Sequence, residues 1–118
     1  MIENPSNVQL KTLKMIIYLI ENQINGKKYI GMATNGFYKR YNHGTKWWYE
    51  TENDYLKYSV KKYGLDNFKV KILAYNVDSI EMLEEIEIFC INILYNSLYP
   101  NGYNFNTGGR KTNIHEKQ

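Results

Sequence analysis

A predicted β-hairpin near the N-terminus constrains the fold of this chain more than any other feature. Two mainly hydrophobic runs typical of β-strands, at 15–20 and 28–32, flank the turn-forming pair Asn25-Gly26. Such runs on either side of an Asn-Gly pair predict two antiparallel strands. Each strand carries a tyrosine, Tyr18 or Tyr29, and a strict two-residue turn would offset the two side chains. We therefore expect a longer loop between the strands.

Taken alone, the hairpin has two interpretations. Tyr18 and Tyr29 either pack in a core or form part of a site. The second interpretation is favoured by Gly31, because a glycine in a strand lets a ligand approach the backbone closely.

The composition is that of a single intracellular domain. The chain has 118 residues, 43% of them hydrophobic, which is enough for one packed core. The single cysteine, Cys90, excludes an internal disulfide and favours a reducing, cytoplasmic setting. The two histidines, His43 and His115, exclude a Cys/His metal cluster. No apolar run approaches the roughly 20 residues that span a bilayer, so we expect no membrane partner. The net charge of +3 permits a nucleic-acid partner without requiring one.

The segments after the hairpin are recognised by their ends and by their hydrophobic periodicity. Asn53 and Gly64 suit the two ends of a helix, and Asp78 with Glu81 has the form of a capping box at the start of another. Between these helices, apolar and polar residues alternate, as they do in a strand with one solvated face. The predicted elements are a short helix at 37–42, a helix at 54–63, a strand at 68–75 and a helix at 79–95.

This order of elements, β-β-α-α-β-α, predicts an α/β fold. Two adjacent strands, a later third strand and flanking helices make a small sandwich around a central three-stranded, mainly antiparallel sheet. We expect the folded domain to cover residues 15–109. A flexible N-terminal arm at residues 1–14 precedes it, and a polar C-terminal tail at residues 110–118 follows it.

One carboxylate interrupts the apolar stripe of the last predicted helix. At about 100° per residue, Glu87 falls in the middle of this stripe and Glu84 at its margin. The stripe consists of Ile80, Leu83, Cys90, Ile91 and Leu94. A carboxylate directed into a core is costly unless it is paired, hydrogen-bonded or metal-bound. Glu87 is therefore either part of a buried ion pair or a ligand of Mg²⁺, which prefers one or two carboxylates together with water and phosphate oxygens.

Together these motifs resemble the GIY-YIG endonucleases, whose name records the tyrosine-bearing hairpin. The resemblance runs from about residue 15 to residue 109 and implies the family's sheet-and-helix domain. It also implies that Tyr18 and Tyr29 belong to the active site. The family's metal-binding helical glutamate matches Glu87, with Glu84 as the fallback. The family's late asparagine, which helps to hold the active site together, matches Asn104.

Two further positions of the family pattern are less well matched. The family's arginine corresponds to Arg40, whose planar guanidinium suits a phosphodiester, although Lys39 takes this position if the preceding loop is one residue shorter. A lone arginine is also a common surface residue. Many family members carry a histidine four residues after the arginine, whereas His43 comes three residues after Arg40. His43 is therefore a catalytic candidate or simply a solvated loop residue. Ile16 replaces the first glycine of the family pattern, which strand geometry tolerates.

Basic and aromatic residues supply candidate DNA contacts. Lys39, Lys61, Lys62 and Lys69 are the lysines that could face a DNA backbone. Trp47 and Trp48 either pack over the core or form a wedge or stacking surface against DNA. The segments around Lys61 and Thr107-Gly108-Gly109 resemble the phage and mobile-element branch of the family, which includes homing endonucleases.

The resemblance implies a metal-dependent endonuclease that hydrolyses phosphodiester bonds of double-stranded DNA. One Mg²⁺ or Mn²⁺ ion on Glu87 acts as a Lewis acid, Arg40 binds the phosphate, Tyr18 is the candidate base and Tyr29 orients water or phosphate. A free tyrosine titrates near ~10, so Tyr18 needs nearby positive charge to act near neutral pH. Specificity is expected to require a separate targeting domain or partner. The alternatives are a nucleic-acid-binding module without catalysis and a purely structural domain.

Overall fold

A computed structural model describes residues 1–35 and 53–109 of the chain. In chain order, the strands and α-helices of this part are β1 (Ile2–Glu3), α1 (Asn7–Thr12), β2 (Ile16–Asn22), β3 (Lys28–Ala33), α2 (Asp54–Tyr63), β4 (Phe68–Ala74) and α3 (Ile80–Phe89). A 3₁₀ turn, Leu65–Asn67, joins α2 to β4, and a π-helical turn, Cys90–Leu94, continues α3. The short helix predicted at 37–42 and the tail predicted at 110–118 lie outside the described residues.

The described strands form one antiparallel sheet in the order β1-β4-β2-β3. This arrangement confirms the predicted α/β class and the antiparallel pairing. The sheet has four strands rather than the predicted three, because Ile2 and Glu3 pair with Ile72 and Lys71 at the edge of β4. A strand of two residues is too short to leave a periodic pattern in the sequence.

The N-terminal segment is attached to the sheet rather than forming the flexible arm predicted at residues 1–14. Beyond β1, the backbone N–H of Asn4 donates to the carbonyl of Val70 at 3.2 Å. The helix α1 then begins with a capping box in which Ser6 and Gln9 each bind the other's backbone N–H. These local hydrogen bonds and the side chain of Ile2, which packs against the core, hold the segment on the domain.

The β2–β3 hairpin has a five-residue loop at 23–27, which confirms the expectation of a longer turn. Tyr18 lies opposite Gly31, and Ile20 lies opposite Tyr29. Gly26 adopts a φ of 76°, a conformation that glycine accepts readily. With this register, Tyr18 and Tyr29 are diagonal neighbours on one face of the sheet, because side chains two residues apart share a face.

The sheet is covered on both faces, so the domain has two hydrophobic layers. The layer between the sheet and α2 consists of Ile16, Tyr18, Ile20, Ala33, Leu56, Val60, Phe68, Val70, Ile72 and Tyr103. The opposite layer, against α3, consists of Ile17, Leu19, Ile30, Leu83, Cys90 and Ile91. The central strand β2 is buried on both sides, which explains its continuous apolar run. None of the described helices is long and apolar enough to cross a membrane.

The two longer helices begin at side-chain caps. Asn53 accepts from the N–H of Leu56 at 2.9 Å, and α2 ends at Gly64, so the prediction for this helix is confirmed at both ends. For α3 the cap is Ser79, which accepts from the N–H of Met82 at 3.1 Å, and not the predicted Asp78.

The predicted apolar stripe of α3 is only partly buried. Leu83, Cys90 and Ile91 are in the core, whereas Ile80 and Leu94 are 38% and 57% exposed. Ile80 is the first residue of the helix, and Leu94 lies in the π-helical turn, where the N–H of Tyr95 bonds to the carbonyl of Cys90. The wider turn rotates the following residues off the α-helical stripe.

Candidate active site

A cleft of about 370 Å³ opens where β3, α3 and the C-terminal segment meet. Tyr29, Glu87 and Asn104, three of the residues singled out in the sequence, are among its lining residues. Its other lining residues are Ile30, Met32, Asn53, Ile91, Phe105, Asn106, Gly108 and Gly109. Residues from 29 to 109 therefore meet at one place, which the linear sequence does not show.

Tyr18 and Tyr29 form a contact pair beside this cleft. Their ring centroids are 6.4 Å apart and their planes are inclined by 48°. Tyr18 is only 2% exposed, whereas Tyr29 is half-buried and lines the cleft. A Cβ built on Gly31 would overlap Cζ and Oη of Tyr18 and lie 2.9 Å from its Cε1. The missing side chain of Gly31 therefore makes the space in which the Tyr18 phenol lies.

Glu87 faces the cleft from α3. Its Oε1 accepts a hydrogen bond from the backbone N–H of Gly109 at 2.7 Å. Gly108 and Gly109 have φ values of 87° and 80°, so the chain turns around the carboxylate in a conformation that L side chains rarely adopt. A Cβ on Gly108 would come within 2.8 Å of Ile91 Cδ1 and 3.2 Å of Glu87 Oε1. This glycine pair holds the carboxylate in one orientation.

The burial of the two glutamates differs from the prediction. The helical periodicity predicts Glu87 in the middle of the buried stripe and Glu84 at its margin, but Glu84 is 6% exposed and Glu87 is half-buried. Glu87 is the one that lines the cleft. Within the described part of the chain, no three side chains of His, Cys, Asp or Glu lie together as a ready-made metal cage.

Asn104 joins the C-terminal segment to the outer edge of β3. Its Oδ1 accepts from the N–H of Ile30 at 2.9 Å, and its Nδ2 donates to the carbonyl of Ile30 at 2.9 Å. Ser97 Oγ also donates to Oδ1 at 2.7 Å. The Asn104 amide therefore makes the two backbone hydrogen bonds that a neighbouring strand would otherwise make to Ile30 on the edge strand β3. This residue is flanked by Tyr29 and Gly31, so Asn104 fixes the backbone that carries them.

A buried polar cluster that the sequence did not reveal anchors Tyr103. The Tyr103 hydroxyl accepts from Asn22 Nδ2 at 3.0 Å and lies 2.5 Å from Ser59 Oγ. Asn22 and Tyr103 are fully buried, and Ser59 is 2% exposed. Asn53 Nδ2 donates to the carbonyl of Tyr103 at 2.6 Å. These bonds tie the C-terminal segment to β2 and to α2, because buried polar groups need partners.

Cys90 lies one helical turn after Glu87. Burial, and secondarily the negative charge of Glu87, raises the pKa of the Cys90 thiol. The thiol therefore behaves as a small apolar group of the α3 layer rather than as a nucleophile.

The remaining predicted site residues fall into two groups. Lys61, Lys62 and Lys69 are exposed and do not line the cleft. Lys39, Arg40, His43, Trp47 and Trp48 lie outside the described residues, so their predicted roles stay predictions. Asn53, Asn106 and Phe105 line the cleft but were not predicted there. The sequence marks Asn53 only as a helix cap, and the signal around Asn106 is turn-rich composition.

Comparisons with known proteins identify similar endonucleases. No family model matches the sequence. The chain is 37% identical over 105 residues to the protein named "Putative endonuclease segD" of Enterobacteria phage T4. This match covers 83% of the chain but only 40% of the phage protein, so the chain spans less than half the length of this relative.

Two solved structures have the same fold. The catalytic domain of the homing endonuclease I-TevI matches with a TM-score of 0.66 and 32% identity, over 79% of the chain and 99% of that domain. A point mutant of the catalytic domain of the intron endonuclease I-TevI matches with a TM-score of 0.67 and 31% identity, over 81% of the chain and 97% of the domain.

Proposed function

Because this chain belongs to the GIY-YIG family of endonucleases, we propose that it cleaves DNA by metal-dependent hydrolysis of phosphodiester bonds. The observation that carries the proposal is the cleft in which Tyr29 and the oriented carboxylate of Glu87 meet. A cleft in which a few polar groups meet among apolar side chains is the usual form of a ligand-binding or catalytic site.

The residues present fit one divalent metal ion. Glu87 offers one carboxylate with a fixed orientation, and a protein cage is not needed, because Mg²⁺ is commonly held by one or two carboxylates plus water and substrate phosphates. Glu87 would hold the ion, either Mg²⁺ or Mn²⁺. When bound, such an ion supplies Lewis acidity toward the phosphate and the leaving oxygen.

The chain's own residues provide positioning and proton transfer. Tyr29, at the cleft surface, orients the attacking water or the phosphate by hydrogen bonding. Tyr18, ionised to the phenolate by nearby positive charge, accepts the proton of water. The absence of a side chain at Gly31 leaves the Tyr18 oxygen next to the strand that carries Tyr29. Arg40, or Lys39 in its place, binds the phosphate as its negative charge develops. Asn104 keeps the backbone around Ile30 in place for this arrangement.

The biological setting follows from the relatives. A phage protein and a homing endonuclease are among them, so we propose a phage or mobile-element enzyme that acts inside the host cell on double-stranded DNA. The phage relative is much longer than the matched region, and the I-TevI structures are of a catalytic domain. Sequence specificity then resides in a separate domain or partner.

A second candidate function is nucleic-acid binding without catalysis. The departure of His43 from the family spacing motivates it, since a site that lacks one proton-transfer group binds DNA and fails to cut it. The two candidates differ in one measurement, metal-dependent cleavage.

The test is nicking of supercoiled plasmid DNA by the purified chain with Mg²⁺, with Mn²⁺ and with EDTA. Glu87→Gln is expected to abolish cleavage while circular dichroism shows a folded protein. Glu85→Gln is the matched control, because Glu85 is an exposed residue of the same helix, and it is expected to cut like the wild type. A third variant, Glu84→Gln, tests the fallback metal ligand. Wild-type cleavage by Glu87→Gln would show that the metal assignment is wrong, and no cleavage by the wild type would favour the binding module.

A further inference from the structure

Beside the cleft lies a group of aromatic side chains that have no role in the proposed reaction. Tyr55, on α2, packs edge-on against Tyr99 at a centroid distance of 5.2 Å and lies 6.3 Å from Phe105. Tyr99 and Phe105 are 5.6 Å apart and inclined by 40°. We call these three residues the aromatic platform.

Two rings of the platform, Tyr99 and Phe105, are exposed yet held in place. Tyr99 and Phe105 are 56% and 58% exposed, which is unusual for two adjacent aromatic rings in contact with each other. The N–H of Tyr99 donates to the carbonyl of Asn104 at 2.7 Å, and the turn between them is pressed against β3 through Gly102, whose Cβ would lie 2.7 Å from the carbonyl of Lys28. The rings therefore project from a braced turn.

A positive charge lies at the platform. Lys27 Nζ donates to the Tyr55 hydroxyl at 2.5 Å and lies 5.2 Å from the centre of its ring. The Lys27 ammonium is charged at neutral pH, as lysines ordinarily are, and this hydrogen bond raises its pKa further. Phe105 belongs both to the platform and to the cleft wall, so the platform adjoins the cleft.

We propose that the aromatic platform stacks an unpaired base of the DNA strand next to the bond that is cut, with Lys27 beside the adjoining phosphate. Proteins bind single-stranded nucleic acids with aromatic faces next to cations, because every base has a π-face that can stack and every nucleotide carries a phosphate. The rings of Tyr99 and Phe105 belong to one braced turn, so no flexible segment has to become ordered when a base stacks on them. The choice of DNA as occupant rests on the proposed endonuclease function.

The test is fluorescence-anisotropy titration of the purified chain in EDTA, so that no cleavage is needed. The probes are a labelled oligothymidylate of about 12 nucleotides, within the usual length of a stacking site, and a duplex of the same length. The double variant Tyr99→Ala with Phe105→Ala is compared with Tyr75→Ala, which removes an exposed aromatic residue that does not line the cleft. Thermal unfolding confirms that each variant is folded.

We expect the double variant to bind the single strand roughly 10-fold or more weakly than the wild type, because each base stacked on an aromatic residue contributes about 5- to 150-fold and two rings are removed. Its duplex affinity and both affinities of Tyr75→Ala should change less than about 2-fold. Tyr99→Phe, which keeps the ring, should retain single-strand affinity. A 2-aminopurine placed in the single strand should be quenched by the wild type and not by the double variant.

Equal single-strand binding by the double variant and the wild type would overturn the proposal. An equal loss for both probes would also overturn it, because the platform would then contact duplex DNA rather than an unpaired base. These outcomes can be separated from those of the plasmid test. If the wild type fails to nick plasmid DNA, the proposed function is wrong, but the titrations in EDTA still test the platform. If the wild type nicks plasmid DNA and the double variant binds the single strand as the wild type does, only the platform proposal is wrong.

Discussion

Gly31 lies directly opposite Tyr18 in the β2–β3 pair, and the space of its missing side chain is filled by the Tyr18 phenol. A Cβ at this position would overlap Cζ and Oη of the tyrosine. Gly31 is therefore needed for packing against Tyr18, and not, as the sequence suggested, for the close approach of a ligand to the backbone. The position of one proposed catalytic group thus depends on the absence of a side chain on the neighbouring strand.

Gly31→Ala is expected to destabilise the protein by about 1–3 kcal/mol, because the added methyl group overpacks a buried ring. It should also lower plasmid nicking by roughly 10²-fold, since small displacements of a reacting group have effects of this size. Urea denaturation and the nicking rate measure the two effects. In a Tyr18→Leu background the stability loss from Gly31→Ala should shrink. Additive losses in this double-mutant cycle would contradict the proposed contact.

Tyr18→Phe and Tyr29→Phe separate the two tyrosines. Tyr18→Phe keeps the ring and removes one oxygen, so we expect little change in stability and a loss of activity of roughly 10²-fold if the hydroxyl is the base. Tyr29→Phe should lower activity less, because an orienting hydrogen bond contributes less than the proton acceptor. Tyr58→Phe, at an exposed position of α2, is the control. An unchanged Tyr18→Phe rate across pH would point to His43 as the base instead.

Asn104→Asp tests the link to the edge of β3. The substitution replaces the Nδ2 donor that binds the carbonyl of Ile30 with an oxygen, so a hydrogen bond is lost and two acceptors face each other. We expect a loss of about 1–3 kcal/mol in the free energy of unfolding, measured by urea denaturation. Asn101→Asp, at an exposed position of the same segment, should change it by less than about 0.5 kcal/mol. Equal effects of the two substitutions would contradict the structural role of Asn104.

DNA binding by this chain alone is expected to be weak and only moderately dependent on salt. Contacts through Arg40, Lys61, Lys62 and Lys69 give a log–log salt slope of about −0.9 for each neutralised phosphate and roughly micromolar or weaker affinity at physiological salt. Substituting any one of the three exposed lysines should reduce the slope by about one, whereas Lys14→Gln should not. The measurement is titration of two unrelated duplexes at several salt concentrations. Nanomolar, sequence-selective binding would contradict this expectation and point first to Trp47 and Trp48.

The single thiol, Cys90, should resist modification in the folded protein. Its pKa is raised by burial, so below the unfolded value of ~8.5 both states keep the proton, and above it the unfolded chain loses the proton first. The contribution of the thiol to the free energy of unfolding therefore falls as the pH rises above this value. With a disulfide reagent at pH 8, we expect at least roughly 10²-fold slower reaction for the folded than for the denatured protein. Equal rates would show that the thiol is accessible.

Local signals in the sequence were sufficient for several elements. The hairpin, the ends of α2 at Asn53 and Gly64, and the alternation of β4 were all predicted and are present in the structure. Caps, turns and periodic burial act over a few residues, so the residues that decide them are adjacent in the chain. The alternation of β4 fails only near its end, where Ala74 packs with the α3 layer next to a register shift between Ile17 and Tyr18.

The sequence by itself thus determined the hairpin with its two tyrosines, the two ends of α2, and the presence of a glutamate on the last helix. Only the tertiary structure decided which glutamate faces the cleft, that Tyr103 is buried against Asn22 and Ser59, and that Asn104 binds Ile30 across 74 residues. The physical reason is that each of these features depends on a partner supplied by a distant segment. A hydrogen bond or a packed ring of this kind leaves no mark on the periodicity of either segment, and it arises only once the sheet has brought them together.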